Sequence, residues 1–282
     1  MIRAGAWELA TIASGHFRLD GGAMFGVVPK TLWERTNPAD EKNRIAMAAR
    51  SLLLRRGDRV LLVDAGIGGR WSDKHRDIYA IDHDDAAFDE ALRRSGVERH
   101  DVTDVVLTHL HFDHVGAATR ERASGGVELT FPNASYWVQE RQWKHAQEPT
   151  EKDRASYREE LWAPLVATGK WYTIDGNREL IPGLRVETTD GHTFGHQTIV
   201  LEAEGQTFAF TGDAIPTASH VPVPYVMGYD LQPLLCLEEK KALLARAARD
   251  RWVLVWTHDP FRPASRVVFE SGKYRASDAV AL

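Results

Sequence analysis

Thr108-His109-Leu110-His111-Phe112-Asp113-His114-Val115-Gly116 sets three imidazoles and a carboxylate within six consecutive residues, directly after the apolar run Val105-Val106-Leu107. Side chains of an extended segment alternate between faces, so His109 and His111 point one way while Leu110 and Phe112 return to the core. Past Phe112 the chain must turn. The small residues Val115-Gly116-Ala117-Ala118 read as the first turn of a helix, which lets Asp113 and His114 face the same region from another side. A lone His-x-His would be a solvated strand end, but four ligands from six residues, with more downstream, predict a site for two metal ions.

The strand ends nearby carry the rest. Ser51 to Leu54 and Arg59 to Asp64, joined by Arg55-Arg56-Gly57-Asp58, read as a β-hairpin that ends in Asp64-Ala65-Gly66-Ile67-Gly68, a carboxylate beside a sharp glycine turn. Thr207 to Thr211 followed by Gly212-Asp213-Ala214 echoes this pattern and points to two related β halves. Leu184 to Thr188 and Thr198 to Glu202 are further strands. Between them Asp190-Gly191-His192-Thr193-Phe194-Gly195-His196 forms a second cluster, whose glycines permit a tight loop presenting His192. Asp84 to Arg94 and Leu237 to Arg249 have helical spacing of apolar residues. The second feeds the strand Trp252 to Trp256, which ends at Thr257-His258-Asp259. Strand, helix, strand alternation with ligands at strand ends indicates a mixed α/β fold, and no linker breaks the chain, so residues 1–282 are expected to form a single domain.

Two stretches stay open. Asp20-Gly21-Gly22 is a turn before Ala23-Met24-Phe25-Gly26-Val27-Val28-Pro29, which reads as a pocket cover or an edge strand. Glu140 to Lys170 is a helical insertion whose charges make a solvated face, a substrate cap or a homodimer contact.

Composition bounds the function. The 282 residues are 43% hydrophobic and include nine tryptophans, enough for a large core, and no apolar run is long enough for a membrane span. The start, Met1-Ile2-Arg3-Ala4-Gly5-Ala6-Trp7-Glu8, lacks the apolar stretch of a signal peptide. The single cysteine, Cys236, excludes an intramolecular disulfide and fits a reducing cytoplasm; among Leu234, Leu235 and Leu237 it reads as a buried small hydrophobe. A net charge of −5 without a basic block argues against a nucleic-acid partner and for a small-molecule substrate.

Taken in order, His-x-His-x-Asp-His at 109 to 114, Gly-His-Thr-x-Gly-His at 191 to 196, Thr-Gly-Asp at 211 to 213 and the late His258 resemble the metallo-β-lactamase superfamily. The resemblance runs from about Asp64 to His258. It implies a four-layer αββα sandwich with the site at one edge of two sheets. By the same resemblance His109, His111 and His192 would hold one metal, Asp113, His114 and His258 the second, and Asp213 would bridge them. Asp64 matches the family's supporting carboxylate, and His196 matches a histidine that supports rather than ligates. A donor set of imidazole and carboxylate without thiolate suits two divalent ions, zinc above all, with iron, manganese or cobalt chemically open. Hydrolysis by a hydroxide shared between the ions is the expected chemistry, with Asp113 orienting it.

Departures narrow the choice. Oxygen-reducing relatives tend to carry Glu where this chain has His111, and β-lactamases replace the aspartate found here as Asp213. Glyoxalase II has a C-terminal helical domain, whereas 24 residues follow His258 here. What remains resembles the quorum-quenching N-acyl-homoserine lactone lactonases and methyl parathion hydrolase, and Gly22 to Pro29 with Thr257-His258-Asp259-Pro260 resembles the lactonase branch most. Phe25, on that stretch, is expected as a supporting or a substrate residue. The family's tyrosine three positions after the bridging aspartate is Pro216 here, so His220 or Tyr225 is the expected substitute. The expected activity is a lactone or ester hydrolase, with phosphotriester hydrolysis and a non-catalytic binding protein as the alternatives.

Overall fold

The computed structural model describes residues 1–282. They divide into two compact units, Met1–Phe17 with Ala49–Asp175 and Arg18–Ala48 with Gly176–Leu282. The first is built on β1 (Ile2–Ala4), β2 (Trp7–Asp20), β3 (Arg44–Arg56), β4 (Arg59–Val63) and β5 (Asp104–Val106), then a small ribbon of β6 (Thr119–Glu121) and β7 (Val127–Leu129), then β8 (Ser135–Gln139) and β9 (Trp171–Ile174). Its main sheet has the order β1-β2-β3-β4-β5-β8-β9. β3 and β4 form the expected hairpin, closed by Gly57-Asp58 between the Arg56–Arg59 pair. From β4 onward the pairing is parallel. Parallel neighbours need a crossover, and the helix Asp85–Arg94 lies on that between β4 and β5. Asp84 caps it by accepting from Ala86 and Ala87 N–H, and Phe88 and Leu92, one turn apart, are its buried residues.

The second unit carries β10 (Arg178–Ile181), β11 (Leu184–Thr189), β12 (His196–Ala203), β13 (Gln206–Phe210), β14 (Val253–Val255), β15 (Ala264–Glu270) and β16 (Lys273–Ala279), hydrogen-bonded in that order. Only β13 and β14 are parallel. Their crossover contains the helix Pro233–Arg249, which starts with Pro at its first turn and buries Cys236, Lys240, Leu243, Leu244 and Ala247. Both units therefore repeat one local design: a hairpin, an aspartate just past its second strand, a helical crossover, and a parallel strand running into Thr-His. The echo between Asp64 and Asp213 is this repeat. Mixed sheets with crossover helices make the fold α/β, and no helix is long and apolar enough to cross a membrane.

Several boundaries differ from expectation. β3 begins at Arg44 rather than Ser51, because Met47-Ala48-Ala49 is buried yet lacks the β-branched residues that mark a strand. The segment after Asp20 is not an edge strand. It is a short helix, Gly21–Phe25, whose N-terminus is capped by Asp20 accepting from Ala23 N–H at 2.8 Å. Phe25 is fully buried there, stacked between Trp33 (5.4 Å between centroids) and His220 (4.4 Å), which makes it a core residue and not one that meets substrate.

Gly66 is the tightest point of the turn after β4. Its φ is +87°, and a Cβ would fall 1.6 Å from Ser14 Oγ. Its N–H donates to His114 O at 3.1 Å and its carbonyl accepts from Ala117 N–H at 3.0 Å. Gly66→Ala should lower unfolding free energy in urea by about 2–4 kcal/mol. Gly57→Ala, at a φ of +56° but in open space, should cost about 1 kcal/mol; equal losses would refute the steric account.

Candidate metal centre

In the first unit the motif loop hangs on Asp64. This residue sits in the left-handed region at φ +55°, and its buried carboxylate accepts from Thr108 N–H (2.7 Å), Thr108 Oγ1–H (2.8 Å) and His114 Nδ1–H (2.7 Å). Having given its proton to Asp64, Thr108 Oγ1 accepts from His109 Nδ1–H at 3.0 Å. The tautomers of two imidazoles are thus set by one carboxylate, and both rings keep their lone pair on Nε2. His109, His111, Asp113 and His114 are all buried. The His109 ring lies 4.3 Å from that of His111 and 4.0 Å from that of His114, and His114 Nε2 lies 3.9 Å from Asp113 Oδ1. The α-helix here is a single turn, Phe112–Val115, whose N-cap His111 accepts at its carbonyl from His114 and Val115 N–H; the small residues Gly116–Ala118, expected to open a helix, form a 3-10 turn instead.

The second unit assembles His192, Asp213 and His258 with different supports. His192 Nδ1–H donates to Asp230 Oδ1 at 2.9 Å, and His258 Nδ1–H donates to the Ala48 carbonyl at 2.8 Å. Both rings again keep their Nε2 lone pair, and these stand 3.4 and 3.0 Å from the two oxygens of Asp213. Lone pairs facing carboxylate oxygens repel unless a proton or a cation lies among them. The donor set and its tautomers therefore fit a divalent cation. His196 plays another part: its Nε2 accepts from Asp213 N–H at 3.0 Å while its Nδ1 bonds Thr189 Oγ1 at 2.6 Å, so it orients the backbone of Asp213.

His220 does not have the freedom that sequence reasoning gave it. It is fully buried, its Nε2–H donates to Met24 O (2.8 Å), its Nδ1 accepts from Thr217 Oγ1–H (2.7 Å), and burial pushes its pKa down to about 3. A neutral ring with both nitrogens engaged is a packing post and removes His220 from the donors that could replace the tyrosine absent at Pro216. Tyr225 is half-buried, edge-on to Phe25.

Four supports had no sequence motif. Asp230 grips His192 and also accepts from Met227 N–H at 2.9 Å. Glu239, on the helix Pro233–Arg249, clamps the His192 loop by accepting from Asp190 N–H (2.7 Å) and Gly191 N–H (3.0 Å), and burial raises its pKa against those bonds. Lys240 donates to Tyr225 O at 2.6 Å, its ammonium pulled down to about 8 by burial. Tyr157 lies with its ring 4.7 Å from that of His111 and donates its hydroxyl to Gln142 Oε1 (3.0 Å), which also accepts from Leu110 N–H. Cys236 is packed under Gly191 and its thiol is raised by burial, so no thiolate joins the donor set.

Residues 46–258 match the family model of the metallo-β-lactamase superfamily. An N-acyl homoserine lactonase of Bacillus thuringiensis is 30% identical over 182 residues, 63% of this chain and 64% of that protein, so the match spans a little under two thirds of its length. A probable metal-dependent hydrolase from Staphylococcus aureus superposes with a TM-score of 0.88 at 26% identity, over 99% of this chain and 100% of its own. AidC, a dizinc quorum-quenching lactonase solved with a product, N-hexanoyl-L-homoserine, superposes with a TM-score of 0.82 over 100% of this chain and 97% of its own; at 18% identity this likeness is one of fold.

Removing a carboxylate that orients a ligating imidazole typically costs about 10–100-fold in metal affinity. Asp230→Ala should show a loss of that order in chelator competition with the fold retained by circular dichroism. Unchanged affinity would mean that the Asp230–His192 bond is structural only.

Proposed function

The chain belongs to the metallo-β-lactamase superfamily, and on that footing we propose that it is a dinuclear metal-dependent hydrolase of lactones or related esters, its two units serving one domain. The observation that carries the reading is the shared tautomer: His109, His114, His192 and His258 each commit Nδ1–H to an acceptor, leaving Nε2 as donor atoms for a cation. In this proposal His109, His111 and His192 would hold one ion and Asp113, His114 and His258 the other, with Asp213 shared. Zinc suits the donors, and a relative in fold is a dizinc lactonase. Bound there, a cation pair supplies Lewis acidity, acidifying water at neutral pH and polarising the scissile carbonyl.

The chain's own residues do the positioning. Asp113 would orient the attacking water and take up its hydrogen bond. His196 keeps Asp213 turned toward the imidazoles, and the preset Nδ1 bonds spare the site any reorganisation as charge develops. The leaving alkoxide finds no proton at Pro216, which has neither side-chain donor nor N–H. With His220 fixed, the phenols to test are Tyr225 and Tyr79; the latter is raised in pKa by burial and by the charge of Asp113, and so keeps its proton. The lack of a donor at Pro216 also favours substrates whose leaving groups need little protonation, and this supports aryl esters and phosphotriesters as a second reading.

Purified protein should carry close to two transition-metal ions per chain by elemental analysis. Asp113→Asn should cut turnover about 100-fold or more with the fold intact; activity within a few-fold of wild type rejects its role. Among esters, kcat should fall steeply as the leaving-group pKa rises. Tyr79→Phe or Tyr225→Phe should selectively slow unactivated lactones. A flat dependence with neither phenol affecting lactones would show that leaving-group departure is not limiting.

A further inference from the structure

The helical insertion between β8 and β9 reaches the motif loop at two neighbouring points. After the turn Arg154–Ser156 the chain runs extended through Tyr157 (φ −100°, ψ 124°) and Arg158 (φ −126°, ψ 99°), so successive side chains leave opposite faces. Tyr157 pairs with His111 as an isolated antiparallel bridge, and its ring stands 4.7 Å from the imidazole at 68°. Arg158 covers Trp71 at 4.2 Å, and Trp71 in turn meets Phe112 edge to face at 5.1 Å. Two consecutive residues of the insertion thus bear on two consecutive residues of the motif, the first directly and the second through an indole.

A further grip comes from the helix Glu140–Gln147. Gln142 is fully buried, and its Oε1 accepts from Leu110 N–H at 3.2 Å and from Tyr157 O–H at 3.0 Å. β5 ends at Val106, so Leu110 N–H lies beyond the sheet ladder and a side chain has to satisfy it. The carboxamide does for Leu110 what the Asp64 carboxylate does for Thr108, and the two gripped amides flank His109 in the chain. His145 steadies Tyr157 in turn. Its ring is edge-on to the phenol at 5.6 Å, and its Nε2–H donates at 2.6 Å to buried Asp153, which also accepts from Thr150 Oγ1–H at 2.6 Å.

We propose that Gln142 and Tyr157 are positioning residues for His111, holding its backbone and ring in the orientation that a cation needs before one arrives. This role rests on the metal-centre reading above and gives the insertion a part in it. A ligand already held loses less freedom on binding. Releasing His111 should therefore weaken the ion assigned to it, while the ion assigned to Asp113, His114 and His258 keeps its ligands.

The test is chelator competition for zinc on the metal-depleted full chain, which reads two stepwise dissociation constants. Gln142→Leu and Tyr157→Leu should each weaken one of them about tenfold and leave the other at its wild-type value. Tyr157 is half-buried, so its variants remain informative if Gln142→Leu folds poorly. Tyr157→Phe, which keeps a ring against His111, should recover most of the loss. Trp143→Leu controls for simple loosening of the insertion, because the ring contacts of Trp143 are with Trp162 and Trp171; it should lower Tm and change neither constant. The visible bands of cobalt-loaded protein should shift in Tyr157→Leu and stay in place in Trp143→Leu. This positioning role is overturned if both constants and the cobalt bands are unchanged in Tyr157→Leu, or if Trp143→Leu weakens zinc as much. Wild-type protein that binds no metal would sink the metal-centre reading itself, and this role with it.

Discussion

The site in the first unit depends on one buried carboxylate. Asp64 ends β4 in a left-handed conformation that costs a non-glycine residue about 1–3 kcal/mol, and three charge-assisted bonds offset it. The same three bonds draw Thr108 to the strand end and fix His114 directly and His109 through Thr108. A longer glutamate would displace that hydroxyl, and an asparagine would offer N–H groups where acceptors are needed. Gly66 works toward the same end, because only a residue without Cβ lets the turn pass Ser14 while bonding the His114 carbonyl.

The second unit repeats the strand order around its aspartate but solves the imidazole problem differently. There the carboxylate after the hairpin is itself the group facing the rings, and its orientation comes from His196. The rings are held by Asp230 and by a backbone carbonyl at Ala48, which also donates its N–H to His258 O at 3.1 Å. The two copies of one local design thus use their carboxylates differently: Asp64 sets the tautomer of His114, and Asp213 faces the Nε2 atoms of His192 and His258.

What was legible in the sequence was local. His109 to His114, the strand-Asp-Gly turns and the helix at 85–94 follow from alternation, helical spacing and caps within a few residues, whereas the helix read from Leu237 to Arg249 begins one turn earlier, at Pro233. The long strand β2 was missed because Ser14, Gly15 and His16 interrupt its alternation, and β15 and β16 because their burial does not alternate cleanly, with Phe269 exposed. Asp230 and Glu239 were missed for another reason: they reach their partners across 38 to 49 residues, and no periodicity marks a side chain that acts on a distant loop. His220 and Phe25 looked functional by position, yet packing against each other, Trp33 and the Met24 carbonyl makes them interior.

Glu239 holds the His192 loop and its neighbour Lys240 holds the carbonyls of residues 222 and 225, so one helix fastens two loops. The sulfur of Cys236 lies on that helix directly beneath Gly191, where an added Cβ would come within 2.6 Å of it. As the chain has no other thiol, this sulfur is a native clock for the loop. The rate at which a thiol reagent finds it counts how often the lid of backbone over it lifts, and so times the breathing of the His192 loop without any added label.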